Sequence, residues 1–260
     1  MILVDGNNVY YSGFSVKAFD WGNMRLGGAV VSILSVLKYS ANGNLLVVWD
    51  GSNAVKRKRE EFYDGYKLSR EKMKEDMFFK MLNELKYIYK EGLGIHQAYS
   101  EEDEADDVIA HLVYSFLGNG KITIVSNDRD FYQLLFLSDD VVMVSRSKEI
   151  RREDVKEETG CSTKEEWLWY KALVGDGSDN ISGKKGVGPV KAAEIIKRGI
   201  SDVEKQEVKC WYDLMNLDGN LRGNLVLVEG KKNEKLVMDW CREYRLKRVW
   251  EALVKRQWFG

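Results

Sequence analysis

Histidine is nearly absent from this sequence, which contains only two among its 260 residues, His96 and His111. Active sites built on a histidine base, HExxH zinc sites and Ser-His-Asp triads all require a histidine beside a suitable partner. His111 lies in the apolar stretch "IAHLV", where we expect a core or boundary histidine. The scarcity of histidine therefore indicates that any chemistry depends on carboxylates.

Cysteines and long apolar runs are also scarce. The three cysteines, Cys161, Cys210 and Cys241, show no CxxC spacing, which disfavours a disulfide framework or a zinc knuckle. No apolar run reaches the ~18 residues of a membrane span, and "MILVDGNN" meets an aspartate too early for a signal peptide. We therefore expect a soluble protein of the cytoplasm, or of the host cytoplasm if the source is viral.

The charged residues are balanced in number but segregated along the chain. There are 40 lysines and arginines against 41 aspartates and glutamates. The acids concentrate in "EEDEADD" (101–107), "SNDRD" and "GDGSDN", whereas bases dominate "KRKR" (56–59), 184–198 and the final forty residues. An acidic centre bordered by basic surface is typical of a metal site that holds a polyanion.

Short apolar runs alternate with helical patterns over the first 150 residues. Buried parallel strands are predicted at "ILV" (2–4), "LLVVW" (45–49), "ITIV" (122–125) and "VVMV" (141–144). Helices are predicted over 27–40, about 67–91, 104–117 and in "FYQLLF". This alternation predicts an α/β domain with helices flanking a parallel sheet. Beyond residue 150 the pattern changes to helices and loops, and we expect 200–260 to be helical.

Acidic residues follow several of the predicted strands. Asp5, Asp50, and Asp128 with Asp130 come directly after "ILV", "LLVVW" and "ITIVSN". Because the carboxyl ends of parallel strands form the ligand crevice of an open sheet, these acids should converge. Further acids lie at a helix start or in a glycine-rich loop: Glu104, Asp106, Asp107, Asp176 and Asp179. Nine confined carboxylates require cations, and oxygen ligands with few histidines and cysteines favour Mg²⁺ or Mn²⁺ over zinc.

Part of "EEDEADD" has a purely structural explanation. Ser100 followed by Asp103 and Glu104 could cap a helix, because acids interact favourably with a helix N-terminus. We interpret Glu101, Glu102 and Asp103 as helix-start and surface acids. Glu104, Asp106 and Asp107 precede a buried apolar stripe and exceed any capping need, so we interpret them as metal ligands. For "GDGSDN" a turn with Asx hydrogen bonds stays an alternative.

Two segments are suited to nucleic acid. In "GVGPVKAAEIIKRG" (186–199), Gly186 and Gly188 make a tight turn that opens a helix whose backbone N–H groups can receive a phosphate, beside Lys184, Lys185 and Lys191. The segment has the form of a helix-hairpin-helix element, and an ordinary glycine-rich helix start is the alternative. In 56–90, lysines and arginines alternate with aromatic residues, a composition that suits binding of single-stranded nucleic acid. Here we favour function for Tyr66, Lys67 and Arg70, and a solvated helix face from about 71 onwards.

Seven of these motifs occur in one order between residues 1 and 200: "VDGNN", "VVWDG", "YKLSR", "EADD", "SNDRD", "GDGSDN" and "GVGPVKAA". The set resembles the flap endonuclease and 5′-3′ exonuclease family, especially its free-standing phage and bacterial members. The resemblance implies a PIN-like nuclease core over 1–150, with a helical arch at about 52–91. It also implies a helical C-terminal region over 151–260 that packs on the core and carries a helix-hairpin-helix-type DNA clamp at about 183–199.

The resemblance also implies roles for individual residues. Asp5, Asp50, Glu104, Asp106 and Asp107 resemble the main metal group, and Asp128, Asp130, Asp176 and Asp179 the second, for two Mg²⁺ ions that Mn²⁺ can replace. Lys67 and Arg70 resemble the positively charged catalytic residues at the foot of the arch, which act electrostatically and not as acids or bases, and Tyr66 resembles the aromatic residue beside them. Gly186, Gly188 and Lys191 resemble the clamp turn. The arginine that many relatives place after the first aspartate is missing from "NNVYYSGF".

The implied activity is that of a structure-specific 5′ nuclease in DNA replication or repair. It would act as a monomer on DNA with a 5′ flap or free 5′ end and release 5′-phosphate and 3′-hydroxyl products. Two alternatives stay open: removal of RNA from RNA:DNA hybrids, and a non-catalytic DNA-junction binding protein on the same fold. Residues 201–260 match no motif of the family.

Overall fold

The computed structural model describes residues 1–14, 16, 26–40, 44–68 and 76–260. Within them, seven strands form one sheet in the order β6-β5-β4-β1-β2-β3-β7. The strands are β1 (Ile2–Asp5), β2 (Leu45–Trp49), β3 (His96–Tyr99), β4 (Ile122–Val125), β5 (Val141–Ser145), β6 (Lys148–Ile150) and β7 (Val226–Val228). The five central strands are parallel, and β6 and β7 add antiparallel edges.

Helices cover both faces of this sheet. They are α1 (Gly6–Phe14), α2 (Gly27–Ser40), α3 (Ala54–Glu61), α4 (Asp76–Glu91), α5 (Ala105–Phe116), α6 (Tyr132–Leu135), α7 (Arg152–Thr159), α8 (Lys164–Val174), α9 (Pro189–Arg198), α10 (Asp202–Met215), α11 (Glu234–Glu243) and α12 (Lys247–Lys255). A 3₁₀ turn, Arg129–Phe131, precedes α6. Among the residues described, none of the helices combines the length and apolar composition needed to cross a bilayer.

The hydrophobic core is divided by the sheet into two layers. On β1, Leu3 packs into the layer formed with α5, α6, α8, α9 and α10, whereas Ile2 and Val4 pack into the layer formed with α1, α2, α4, α11 and α12. This alternation follows from the two-residue period of a strand. Because both faces of the central strands are buried, their sequences read as continuous apolar runs.

The predicted α/β class, with a parallel sheet flanked by helices, is confirmed. The four predicted strands are β1, β2, β4 and β5, and the predicted helices over 27–40 and 104–117 are α2 and α5. Strands β3 and β6 were not predicted because "HQAY" and "KEI" contain no apolar run. Strand β7 ("VLV") was missed because it is a three-residue run within a region predicted to be helical. The expectation that 200–260 is wholly helical is wrong, since β7 pairs with β3.

Candidate metal centre

Four aspartates meet at the carboxyl ends of the central strands. Asp5 ends β1, Asp50 follows β2, Asp128 follows β4, and Asp106 lies in the first turn of α5. Together with Glu104 and Lys67 they line one groove of about 1300 Å³. The convergence expected from a parallel sheet is therefore observed for residues separated by more than a hundred positions.

Asp5 and Asp106 carry the clearest signs of crowding. Burial raises the pKa of Asp5 to about 7, and the charges of Asp50 and Asp128 add to that rise, although a hydrogen bond from the Asn8 backbone opposes it. Burial likewise raises the pKa of Asp106 well above its usual value, and the charges of Asp128 and Asp5 raise it further. Because neighbouring negative charges help to raise the pKa of both carboxyls, a divalent cation in the groove would interact favourably with their ionised forms.

Amide and hydroxyl groups fix the orientation of the aspartates. Ser126 Oγ donates to Asp5 Oδ2 over 2.8 Å, and the backbone N–H of Asn8 donates to Asp5 Oδ1 over 3.0 Å. Asp50 accepts from Asn7 Nδ2 over 2.6 Å and from the backbone N–H of Ala105 over 2.9 Å. The last bond joins the end of β2 to the start of α5. The "DGNN" motif thus supplies the carboxylate of Asp5, the Asn8 backbone amide that orients it, and the Asn7 side-chain amide that orients Asp50.

Glu104 lies between two lysines at the N-terminus of α5. Lys67 Nζ is 2.6 Å from its Oε1, and Lys58 Nζ is 2.8 Å from its Oε2. Tyr66 also donates its hydroxyl to Oε2 over 2.8 Å. Burial disfavours ionisation of Glu104, but the two lysines outweigh it and lower the pKa of this carboxyl. Glu104 is therefore ionised and already paired.

The second predicted acidic group is organised around Lys171 of α8. Lys171 Nζ lies 2.8 Å from Asp130 Oδ1 and 3.0 Å from Asp176 Oδ2. Burial opposes ionisation of Asp176, but Lys171 and Ser178 lower its pKa to about 2. Burial raises the pKa of Asp130, and Lys171 counteracts it. Asp128 of this group lines the groove, and so do the loop residues Gly177 and Ser178, which follow Asp176 in the chain.

Asp179 joins the "GDGSDN" loop to the segment that carries Lys67. Its carbonyl oxygen accepts from the backbone N–H of Lys67 over 3.1 Å, and its Oδ2 lies 3.8 Å from Lys67 Nζ. Lys67 has a left-handed backbone with φ of 52°, which a non-glycine residue adopts only when the surroundings impose it. The loop therefore holds Lys67 in a strained conformation that directs its ammonium to Glu104.

The donor set fits a divalent metal ion of the hard, oxygen-preferring kind. All the groove-lining acids offer carboxylate oxygens, and Asp5 and Asp106 have raised pKa values because they are buried beside other acids. Within the described part of the chain, no three acidic, histidine or cysteine side chains already converge on one point in the manner of a closed site. In this conformation several of the carboxylates are held by lysines, amides and hydroxyls.

Two lysines of the site were not predicted from sequence. Lys58 lies within "KRKR", which was predicted to be basic surface, yet it is buried between Glu104 and Asp107. Lys171 lies in the apolar stretch "WYKALV" of α8. Its separation of five residues from Asp176 was an available signal, because a lysine that is largely removed from solvent usually pairs with an acid.

One acid of "EEDEADD" was wrongly interpreted as a surface residue. Asp103 is only 1% exposed, and it accepts hydrogen bonds from Ser100 Oγ and from the backbone N–H groups of Arg222 and Gly223. It anchors a distant loop. Glu101 is exposed as expected, and the helix cap is formed by Glu104 with Asp107 instead of by Ser100.

The predicted DNA-contacting residues lie in two places within the described part of the chain. Gly186, Gly188, Lys185 and Lys191 are exposed around the start of α9, whereas Lys184 forms an ion pair with Glu207 of α10. Tyr66 is only 4% exposed, so its ring offers no free face to a base in this conformation. Arg70 lies outside the described residues.

Comparison with known proteins places this arrangement among nucleases. The family model of the 5′-3′ exonuclease, N-terminal resolvase-like domain, matches residues 1–160. The chain is 33% identical over 249 residues to DNA polymerase I of Deinococcus radiodurans, covering 92% of this chain and 24% of that protein. It is 29% identical over 217 residues to the 5′-3′ exonuclease of Buchnera aphidicola subsp. Schizaphis graminum, covering 78% and 71%. The chain thus spans about a quarter of that polymerase and 71% of that exonuclease.

A solved structure agrees in fold. The flap endonuclease of bacteriophage T5, in a complex with DNA and metal ions, superposes with a TM-score of 0.62 at 21% identity, over 84% of this chain and 86% of that chain. The likeness confirms the predicted PIN-like α/β fold.

Proposed function

This chain belongs to the family of the 5′-3′ exonuclease, N-terminal resolvase-like domain, and on that premise we propose that it is a structure-specific 5′ nuclease. It would hydrolyse DNA phosphodiesters at 5′ flaps and free 5′ ends, giving 5′-phosphate and 3′-hydroxyl products. The observation that carries this proposal is the groove in which Asp5, Asp50, Asp106 and Asp128 converge beside Lys67.

The proposed cofactor is Mg²⁺, held by the groove-facing carboxylates of Asp5, Asp50, Asp106 and Asp128, with Mn²⁺ as a substitute. When bound, a pair of such ions supplies an activated water and stabilises the leaving oxygen. Ser126, Asn8 and Asn7 keep the carboxylates oriented before any ligand arrives. That preorganisation lowers the cost of assembling the site around a phosphate.

Lys67 is the proposed electrostatic catalyst. Its ammonium lies at the groove, held by Glu104 on one side and by the Asp179 segment on the other. From this position it can offset negative charge that develops on a phosphate between the acids. Its pairing with Glu104 argues against a role as proton donor, because a carboxylate partner stabilises the protonated amine. Arg70, three residues further along, is proposed for the same task from sequence alone.

The proposed contact to the DNA backbone is the start of α9. Gly188 is the N-cap and has no side-chain acceptor, and Pro189 at the first helical position has no N–H, so the backbone N–H groups of Val190 and Lys191 are left for an external acceptor. Lys185 and Lys191 are exposed beside that end. Such a site binds phosphate without reading bases.

The test is cleavage of a 5′-labelled flap duplex with Mg²⁺ or with EDTA. Wild-type protein should release short 5′ fragments only with Mg²⁺, and Asp128→Asn should abolish or greatly slow that release. Asp140→Asn, which changes an exposed aspartate outside the groove, is the matched control and should cleave normally. Binding of the flap without Mg²⁺-dependent cleavage by wild-type protein would contradict the proposal and favour a junction-binding protein.

A second substrate arm separates DNA flap cleavage from removal of RNA. A DNA flap and an RNA:DNA hybrid of equal length are compared at equal enzyme concentration. The proposal requires cleavage of the DNA flap. Cleavage of the hybrid alone would contradict it.

A further inference from the structure

A buried lysine, Lys58, contacts both carboxylates of the capping box at the N-terminus of α5. Lys58 is 7% exposed, and its Nζ lies 2.8 Å from Glu104 Oε2 and 3.0 Å from Asp107 Oδ2. In α3, Ala54 and Lys58 are the buried residues, one turn apart, while Lys56 is exposed. The position would suit an apolar side chain, yet an ammonium group occupies it.

Asp107 is turned away from the groove and toward this lysine. Among the described residues the groove is lined by Asp106 but not by Asp107. One carboxylate oxygen of Asp107, Oδ2, contacts Lys58 and also accepts from the backbone N–H of Glu104 over 3.2 Å. Asp107 thus acts as the capping-box partner of Glu104 and as a counter-ion.

From this geometry we infer that Lys58 is a fixed internal cation, a positioning residue that holds Glu104 and Asp107 where a divalent ion would otherwise be needed. The inference rests on the proposed function, since it divides the acids of that metal centre. Asp107, predicted from sequence as a metal ligand, then serves Lys58 and the helix cap. Divalent ions are confined to the groove side, where Asp5, Asp50, Asp106 and Asp128 lie.

The arrangement also explains how α3 and α5 are joined near the site. Glu104 Oε2 accepts from both Lys58 and Tyr66, and its Oε1 faces Lys67. Lys58 therefore holds one oxygen of the Glu104 carboxylate, and the other oxygen contacts Lys67, the proposed electrostatic catalyst. Removal of one member of a buried pair leaves an uncompensated charge, whereas removal of both charges with the shape retained is tolerated.

Four variants test the inference without relying on activity: Lys58→Met, Asp107→Asn, the double variant carrying both, and Asp106→Asn. Asparagine at 107 retains an oxygen that can accept from Glu104 N–H. Mn²⁺ affinity is measured by titration calorimetry without DNA, and the melting temperature is measured in EDTA.

The double variant should bind Mn²⁺ within about threefold of wild type, because Lys58 and Asp107 do not line the groove and Glu104 keeps Lys67 as a partner. Asp106→Asn should weaken binding by about tenfold or more. Lys58→Met alone should melt at a lower temperature than the double variant. The inference is overturned if the double variant loses as much Mn²⁺ affinity as Asp106→Asn, or if Lys58→Met melts no lower than the double variant.

The same data distinguish this inference from the proposed function. Unchanged Mn²⁺ binding in Asp106→Asn would count against the groove as a metal centre altogether. If Asp106→Asn and the double variant both lose Mn²⁺ binding, the groove is still supported as a metal centre. Only the inference that Asp107 pairs with Lys58 instead of binding metal is then rejected.

Discussion

At the scale of single residues, the charge state of each acid depends on the groups that surround it. Glu104 and Asp176 have lowered pKa values because buried lysines pair with them, although burial alone would raise both. Asp5 and Asp106 have raised pKa values because they are buried beside other acids. The sequence predicted which acids matter but not this division, since Lys58 and Lys171 approach from other helices.

Lys67 gives the first prediction at this scale. Lys67→Ala should lower the turnover of flap cleavage by about 10²–10³-fold, because a preorganised positive charge next to the phosphate is lost. The dissociation constant for the flap duplex should change by less than about threefold. Single-turnover kinetics and a binding titration measure the two separately. Lys56→Ala, an exposed lysine on α3, is the control, and an equal loss of affinity and turnover in Lys67→Ala would contradict the assignment.

The raised pKa of Asp5 predicts how the metal-free protein responds to pH. An aspartate of ordinary pKa ~3.9 in the unfolded chain and about 7 in the folded protein binds its proton more tightly when folded. Between those two values the native state holds more protons, so the free energy of unfolding falls as the pH rises. The protein in EDTA should therefore melt at a lower temperature at about pH 7.5 than at about pH 5.5.

The control for this pH dependence is Asp5→Asn, which cannot titrate. Its melting temperature should vary less over the same range, and Mg²⁺ should reduce the variation in wild type by supplying the missing charge. Circular dichroism at two pH values measures both effects. A wild-type profile that rises with pH and matches the Asp5→Asn profile would show that Asp5 has no such shift.

At the scale of elements, the start of α9 was predicted well and its lysines only in part. The single proline of the chain, Pro189, follows the N-cap Gly188, so the helix boundary could be derived from local chemistry. The partners of the lysines could not, because Lys184 pairs with Glu207 on the next helix. Within the described residues Lys191 is exposed and forms no ion pair, whereas Lys184 is half-buried.

This difference predicts unequal effects on DNA binding. Lys191→Ala should weaken flap binding and reduce the slope of log K against log salt by about 1, since one phosphate contact is removed. Lys184→Ala should change the slope less, because its ammonium is committed to Glu207. Binding titrations at several salt concentrations with EDTA in place of Mg²⁺ measure both. Equal slopes for Lys191→Ala and wild type would exclude Lys191 from the interface.

At the scale of the whole molecule, the motifs and the fold cover different parts of the chain. The sequence motifs lie within residues 1–200, whereas β7 completes the sheet beside β3, and α11 and α12 close the core layer against α4 and α2. Asp103 ties the loop at Arg222 and Gly223 to the start of the acidic segment. Such long-range contacts depend on tertiary structure and leave no local pattern in the sequence.

A chain shortened to residues 1–200 should therefore fail to fold cooperatively, although it retains every motif of the family. Loss of residues 201–260 would expose the apolar faces of α2 and α4 that Val237, Trp240, Val249 and Leu253 now cover. Burial of each of these side chains contributes about 1.5–3 kcal/mol. The same loss would also leave β3 as an unpaired edge.

Trp240→Ala in the full chain is the graded control, with an expected loss of about 3–5 kcal/mol in the free energy of unfolding. Urea unfolding followed by circular dichroism measures both proteins. If the 1–200 chain unfolds in one transition with the midpoint of the full chain, then α10, α11, α12 and β7 do not stabilise the rest of the chain, and the single two-layer core is wrong.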